Sequence, residues 1–137
     1  MFATRPTASI LADMSTERGE VSAEAVIIVP VVFLFLLLGV QVAALFHAAN
    51  IATAAAAQGA AAAAAFGGSG TTGERFAVMA AVEMGGKLHE SPVVVVQSEI
   101  VQVSVSVALP RIIPGFPVSV ERRIVESREL FVGEDDR

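Results

Sequence analysis

The sequence has no cysteine, no tryptophan and no tyrosine. Without cysteine there is no disulfide, no thiolate nucleophile, no zinc–thiolate site and no lipid-modified cysteine. Positive charge is also scarce: nine Lys and Arg stand against 14 Asp and Glu, for a net charge of −5. Apart from Arg122-Arg123 there is no basic cluster. A nucleic-acid surface needs a cationic footprint and usually aromatic platforms, so that class of partner is excluded. Only 17% of residues are charged, against about a quarter in an average soluble domain. The shortage is local: from Ala25 through Gly73 there is no Asp, Glu, Lys or Arg. An uncharged apolar run longer than ~18 residues is a membrane-span candidate. With 54% hydrophobic residues in 137, an ordinary soluble globular protein is excluded, and the length allows at most one small domain.

What is present divides into parts. Residues 1–19 are a polar leader, and the stretch up to Glu24 has too little apolar material for a fold of its own. Residues 25–46 are apolar except for Gln41. As a helix this block is ~33 Å long, about one hydrocarbon thickness. A lone strand cannot cross lipid with unpaired backbone groups, so helix is the state expected. Pro30 lacks an N–H and should kink the helix or mark a weak first turn. Beyond the block the chain is mostly alanine as far as Ala65, and alanine is the best helix former. One helix over residues 20–66 would be roughly 70 Å long, about twice what a bilayer needs. Its second half has almost no charge to solvate it. Small smooth surfaces allow close helix approach, and this one reads as a surface to be covered by other protein; the alternative is an Ala-rich spacer.

Residues 67–73 are Gly-rich, without the Lys of a phosphate-binding loop, and read as a linker. Residues 74–137 read as a small α+β region. Phe76, Ala77, Ala80, Ala81, Met84 and Leu88 have helical spacing from Glu74 to about Leu88, with Gly85-Gly86 weakening the last turn. Val101, Val103, Val105, Val107 and Leu109 alternate with polar or small residues, the pattern of a half-buried strand. Val93–Val96 is its start or a separate short strand. Pro110, Pro114, Gly115 and Pro117 make a rigid turn. Val118, Val120 and Ile124 form a weaker second run, interrupted by Arg122. A hairpin alone is marginal in water, so its valine face should pack on the short helix, on the Ala-rich helix or on another subunit. The tail Gly133–Arg137 should fray.

No catalytic constellation is evident. His47 lies at the expected membrane edge and His89 near a helix end, where a cation favours the dipole; neither has a plausible set of further metal ligands. The strand serines have no His or Asp placed to complete a triad. The sequence therefore points to a non-enzyme with no cofactor, no metal and no small-molecule substrate.

The informative border runs from Arg18 to Pro30: Arg18-Gly19-Glu20-Val21-Ser22-Ala23-Glu24-Ala25, then the apolar run with Pro30. A glycine without a side chain suits a backbone cut beside a bilayer. Such a cut would place a new α-amine on Glu20 and leave Glu24 as a carboxylate at the membrane boundary. A charge there costs less than the ~2.5–3.5 kcal/mol of the span centre, and it invites a cationic partner. This border resembles the processing site of type IV pilins. The wider pattern of Arg18, Gly19, Glu24, Pro30, a Leu/Val-rich span and an Ala-rich continuation resembles the TadE-like family of Flp (tight-adherence) pilus systems. Where that family commonly has an aromatic after the glutamate, this chain has Ala25. The resemblance implies cleavage between Gly19 and Glu20 by a prepilin-type peptidase. It also implies charge pairing through Glu24, and partners among other pilin-like subunits and the pilus assembly platform. Arg5 and Arg18 precede the span and no cation follows it until Arg75, which favours a cytoplasmic N-terminus. The expected architecture is thus an α+β membrane protein: one long N-terminal transmembrane helix with an Ala-rich extension, then a short helix and a small antiparallel β region outside the membrane. A signal-anchored binding module, or a protein secreted by a Sec cut near Ala52-Thr53-Ala54, is the alternative.

Overall fold

The computed structural model describes residues 8–128, with side chains from Ser22 and from Glu24 onward. The expected fraying of Gly133–Arg137 and the first residues of the leader lie outside the described residues. The elements are α1 (Ala8–Ala64), α2 (Gly70–Glu83), β1 (Val93–Val96), β2 (Ile100–Ala108) and β3 (Ser119–Ser127). This is the long apolar helix, short helix and antiparallel sheet that the sequence predicts. The chain divides into two compact units, Met1–Gly39 and Val40–Arg137.

In the first unit α1 runs unbroken through Pro30. The helical backbone begins at Ala8, upstream of the expected start near Glu20. The polar leader contains no Pro or Gly between Thr7 and Arg18, so nothing in its chemistry stops a helix from extending back. The apolar side chains of this unit are exposed: Val26, Ile27, Val29, Phe33, Leu34, Phe35 and Leu36 are all at least 60% accessible.

The second unit is built on the Ala-rich half of α1. Ala52, Ala55, Ala56, Ala60 and Ala63 are fully buried, together with Ala77 and Ala81 of α2 and Val101, Val103 and Val105 of β2. One core therefore joins both helices to the sheet. The alanine surface, expected to be covered by other protein, is covered along this face by the chain's own α2 and β2. Small residues are what make this possible. A Cβ on Gly59 would lie 2.8 Å from the Gly73 carbonyl oxygen and 2.9 Å from the Ala77 Cβ, and a Cβ on Gly73 would lie 2.7 Å from the Ala63 Cβ. The helices cross where neither has a side chain. The few polar residues of this half, His47, Asn50, Thr53 and Gln58, all fall on the exposed side. The helix is thus amphipathic in a minimal way, with methyl groups inward and amides, imidazole and hydroxyl outward.

The Gly-rich stretch is not simply a linker. α2 begins at Gly70 inside it, because Ser69 caps the helix: its Oγ accepts the Thr72 N–H at 3.2 Å. That contact satisfies one of the free donors of the first turn and outweighs the low helix preference of glycine there. α2 also ends earlier than expected, at Glu83. Gly85 adopts φ +74°, its N–H donates to the Val82 carbonyl, and the Gly86 N–H donates to the Ala81 carbonyl at 2.8 Å. This is a glycine-terminated helix end. Leu88 instead forms a bridge with Val107.

The sheet is antiparallel in the order β1-β2-β3. Val93–Val96 is a separate strand, with Val94 opposite Val103 and Val96 opposite Val101. β2 alternates as expected, burying its valines and turning Gln102, Ser104 and Ser106 outward. On β3, Val120, Arg122 and Ile124 lie opposite Val107, Val105 and Val103. Arg122 shares the inward face but is exposed, because β3 is an edge strand. The tie between the Leu109 N–H and the Val118 carbonyl, 2.8 Å, closes the proline-rich loop that joins β2 to β3.

Candidate functional site

A single charged residue marks the border of the apolar run. Glu24 is exposed on α1, and among the described residues it is in no ion pair; the pair found is Arg123–Glu121, 3.8 Å apart on β3. A carboxylate in this position is open to a cation from another molecule. Gly19 and Glu20 lie on the helical backbone of α1, but their side-chain environment is outside the described residues. Pro30 lies one turn into the exposed apolar stretch. Its ring nitrogen cannot donate to the Val26 carbonyl, which loses its helical partner there.

From Glu24 onward α1 is long and apolar enough to cross a membrane, with a mean hydropathy of 2.8 over its most apolar window, and that window is almost entirely unburied. The core helix of a soluble domain would bury this surface. Exposed Val, Ile, Leu and Phe on every side suggests a membrane anchor.

At the far end of the apolar run is the one buried polar side chain among the described residues, Gln41, 1% exposed. Its Nε2 donates to the Pro110 carbonyl at 3.4 Å, and its Oε1 accepts the Ile112 N–H at 3.3 Å. Gln41 thus satisfies both a donor and an acceptor of the β2–β3 loop. The sequence marked it as the lone polar residue of the block but could not name its partner, which lies about 70 residues away in the chain.

The two histidines, distant in sequence, border one hollow of about 670 Å³ together with Ala48, Ile51, Lys87 and Leu109. His89 also lies beside Ser106, whose carbonyl accepts the His89 backbone N–H at 2.9 Å. A shallow depression there brings together His89, Ser104, Ser106 and Glu121. Spacing along the chain gives no hint of either grouping. Among the described residues no hydrogen bond joins the His89 ring to a serine, and the Ser104 hydroxyl accepts instead from Arg123 Nε at 3.2 Å. No group of three His, Asp or Glu among the described residues is placed to hold a metal.

Comparison with known proteins bears on α1. No curated protein and no solved structure matches the chain. Residues 19–61 match the family model described as TadE-like protein, the family that the Arg18–Pro30 border resembles. The matched stretch begins at the glycine of the border, takes in Glu24, Pro30 and Gln41, and ends within the alanine face of α1. The match covers 43 of the 137 residues, all of them in α1.

Proposed function

We propose that the chain is a non-catalytic pilus-assembly component, a TadE-like minor pilin or pseudopilin. It is inserted in the plasma membrane by the apolar part of α1, with the N-terminus cytoplasmic and the α2–sheet head outside. A prepilin-type peptidase trims it after Gly19, leaving Glu20 as the new N-terminus. Glu24 then pairs with a cation of a neighbouring pilin-like subunit, and α1 packs among other helices of the pilus or its assembly platform. The observation that carries this reading is the coincidence of the family match with an exposed apolar helix that ends in a folded head.

A Sec-cleaved secreted form is disfavoured by the core. A cut near Ala52-Thr53-Ala54 would remove Ala48, Ala49, Ile51 and Ala52, all of them buried, and the mature protein would begin with part of its own core missing. A signal-anchored binding module, never processed, would keep its leader and so differ in the mass of the mature chain. The test is therefore intact mass and N-terminal sequencing of the protein extracted from membranes that contain the peptidase. The expected product is residues 20–137. Gly19→Leu should remain uncut yet membrane-bound. An uncut wild-type chain would remove the processing step, and a product starting beyond residue 50 would replace this reading with the secreted one.

A further inference from the structure

The β2–β3 loop, from Leu109 to Val118, is unusual for a surface connection. It reads Leu-Pro-Arg-Ile-Ile-Pro-Gly-Phe-Pro-Val, with no acid and a single charge, Arg111. Ile112 is exposed, and Ile113 and Phe116 are half-buried. Loops on water are ordinarily polar. This one is also fixed in height. Through Pro110 and Ile112 it is bonded to Gln41, which precedes the end of the apolar run at Phe46 by roughly 7 Å of helix rise. Val40, Val42 and Phe46, the neighbours of Gln41 on α1, are themselves exposed. The loop is therefore held alongside an apolar, uncovered part of the helix.

We propose that this loop is a second membrane contact: it rests in the headgroup–acyl boundary of the bilayer that α1 occupies, and its occupant is lipid. The inference depends on the reading of α1 as a membrane helix, but not on processing, orientation or pilus assembly. Three features favour lipid over a protein partner. The first is proximity, because the Ile112 N–H is bonded to Gln41, whose chain neighbours Val40 and Val42 are exposed and apolar. The second is backbone chemistry. Irregular backbone is costly near hydrocarbon because its N–H groups lack partners. Here Pro110, Pro114 and Pro117 have no N–H, and the Ile112 N–H is bonded to Gln41. The third is charge. Arg111 and Lys87 are exposed and in no ion pair among the described residues. Lys87 adjoins the start of the loop, its carbonyl accepting the Ala108 N–H at 2.7 Å. Both can extend to lipid phosphates while the isoleucines sit deeper, the usual division of labour at an interface.

The absence of cysteine makes the test direct. Single variants of the full chain, Ile112→Cys, Leu36→Cys and Ser98→Cys, are labelled with an environment-sensitive fluorophore. They are then reconstituted in phosphatidylcholine–phosphatidylglycerol vesicles with or without acyl-brominated lipid. Leu36 reports on the span and Ser98 on the β1–β2 turn at the other end of the sheet. The expected result is strong quenching at Leu36, most of that quenching at Ile112 and little at Ser98. Arg111→Glu should reduce the Ile112 signal several-fold and leave Leu36 unchanged. Quenching at Leu36 without quenching at Ile112 overturns the loop contact and keeps the membrane helix, including the case where another protein shields the label from water. Absence of quenching at Leu36 removes the membrane reading, and the loop contact with it. Where Ile112→Cys disturbs folding, Phe116→Cys repeats the measurement with the same criteria.

Discussion

Glu24 at the edge of the apolar run of α1 and Gln41 within it are polar residues in opposite surroundings. Glu24 is exposed with no partner of its own among the described residues. If it pairs with a neighbouring subunit, Glu24→Gln should leave membrane insertion intact and reduce the yield of assembled pili, scored by shearing and immunoblotting. Wild-type assembly in that variant would show that Glu24 is not a pairing charge. Gln41 is already paired, within its own chain. Gln41→Leu removes both hydrogen bonds and strands the Ile112 N–H, a cost of about 1–3 kcal/mol when a buried group loses its partner. Amide exchange at Ile112 should then accelerate well beyond that at Val103 in the same sample. The sequence exposed these two residues to different degrees. The position of Glu24, a lone charge at the edge of an uncharged run, is plain in the sequence; its pairing is what the assembly assay decides. Gln41 was visible as an exception, but its role was not, because the partner is backbone contributed by a distant loop.

Among the elements, α1 and α2 approach closely where Gly59 faces Gly73. Gly59→Val places side-chain atoms against the Gly73 carbonyl and Ala77, and overpacking of this kind costs about 1–3 kcal/mol or more. The variant should lower the denaturant midpoint of the head in detergent. Gly39→Ala should not, since nothing lies within 4 Å of its would-be Cβ. Ser69→Ala removes the cap of α2 and should cost about 1 kcal/mol, with the largest gain in exchange at the Thr72 amide. The strand β2 could be read from its alternation because one face is buried along its full length. β3 was harder to read because the face shared by Arg122 and Ile124 runs past the cover of the helices, so its pattern is only partly apolar. The start of α2 is hidden in the sequence because glycines and threonines look like a linker, and only the Ser69–Thr72 geometry distinguishes a capped first turn from a spacer.

For the whole molecule, the decisive fact is that the head includes part of α1. The core is made from alanines of the long helix as much as from valines of the sheet. A chain beginning at Val40 retains every buried core residue, whereas one beginning at Gly67 loses half of them. The first should give dispersed methyl resonances and cooperative unfolding, and the second a collapsed or aggregating species without either. Cooperative folding of residues 67–137 would show the sheet and α2 to be self-sufficient. Composition indicated a long rod with a small head, but it could not say that the two share a core: alanine has no polarity or bulk by which to announce its partner, and the same stretch serves equally well as spacer, as oligomer contact or as the floor of the chain's own fold.

The crossing at Gly59 and Gly73 also determines how mechanical load travels. A pull on the sheet does not have to pass through the short glycine turn after α1. It is transmitted sideways, through interlocked methyl groups and the Gln41 latch, into the shaft of the helix. The turn at residues 65–69 is therefore bypassed: tension on the sheet reaches the Ala-rich half of α1 through the packed core rather than along the chain.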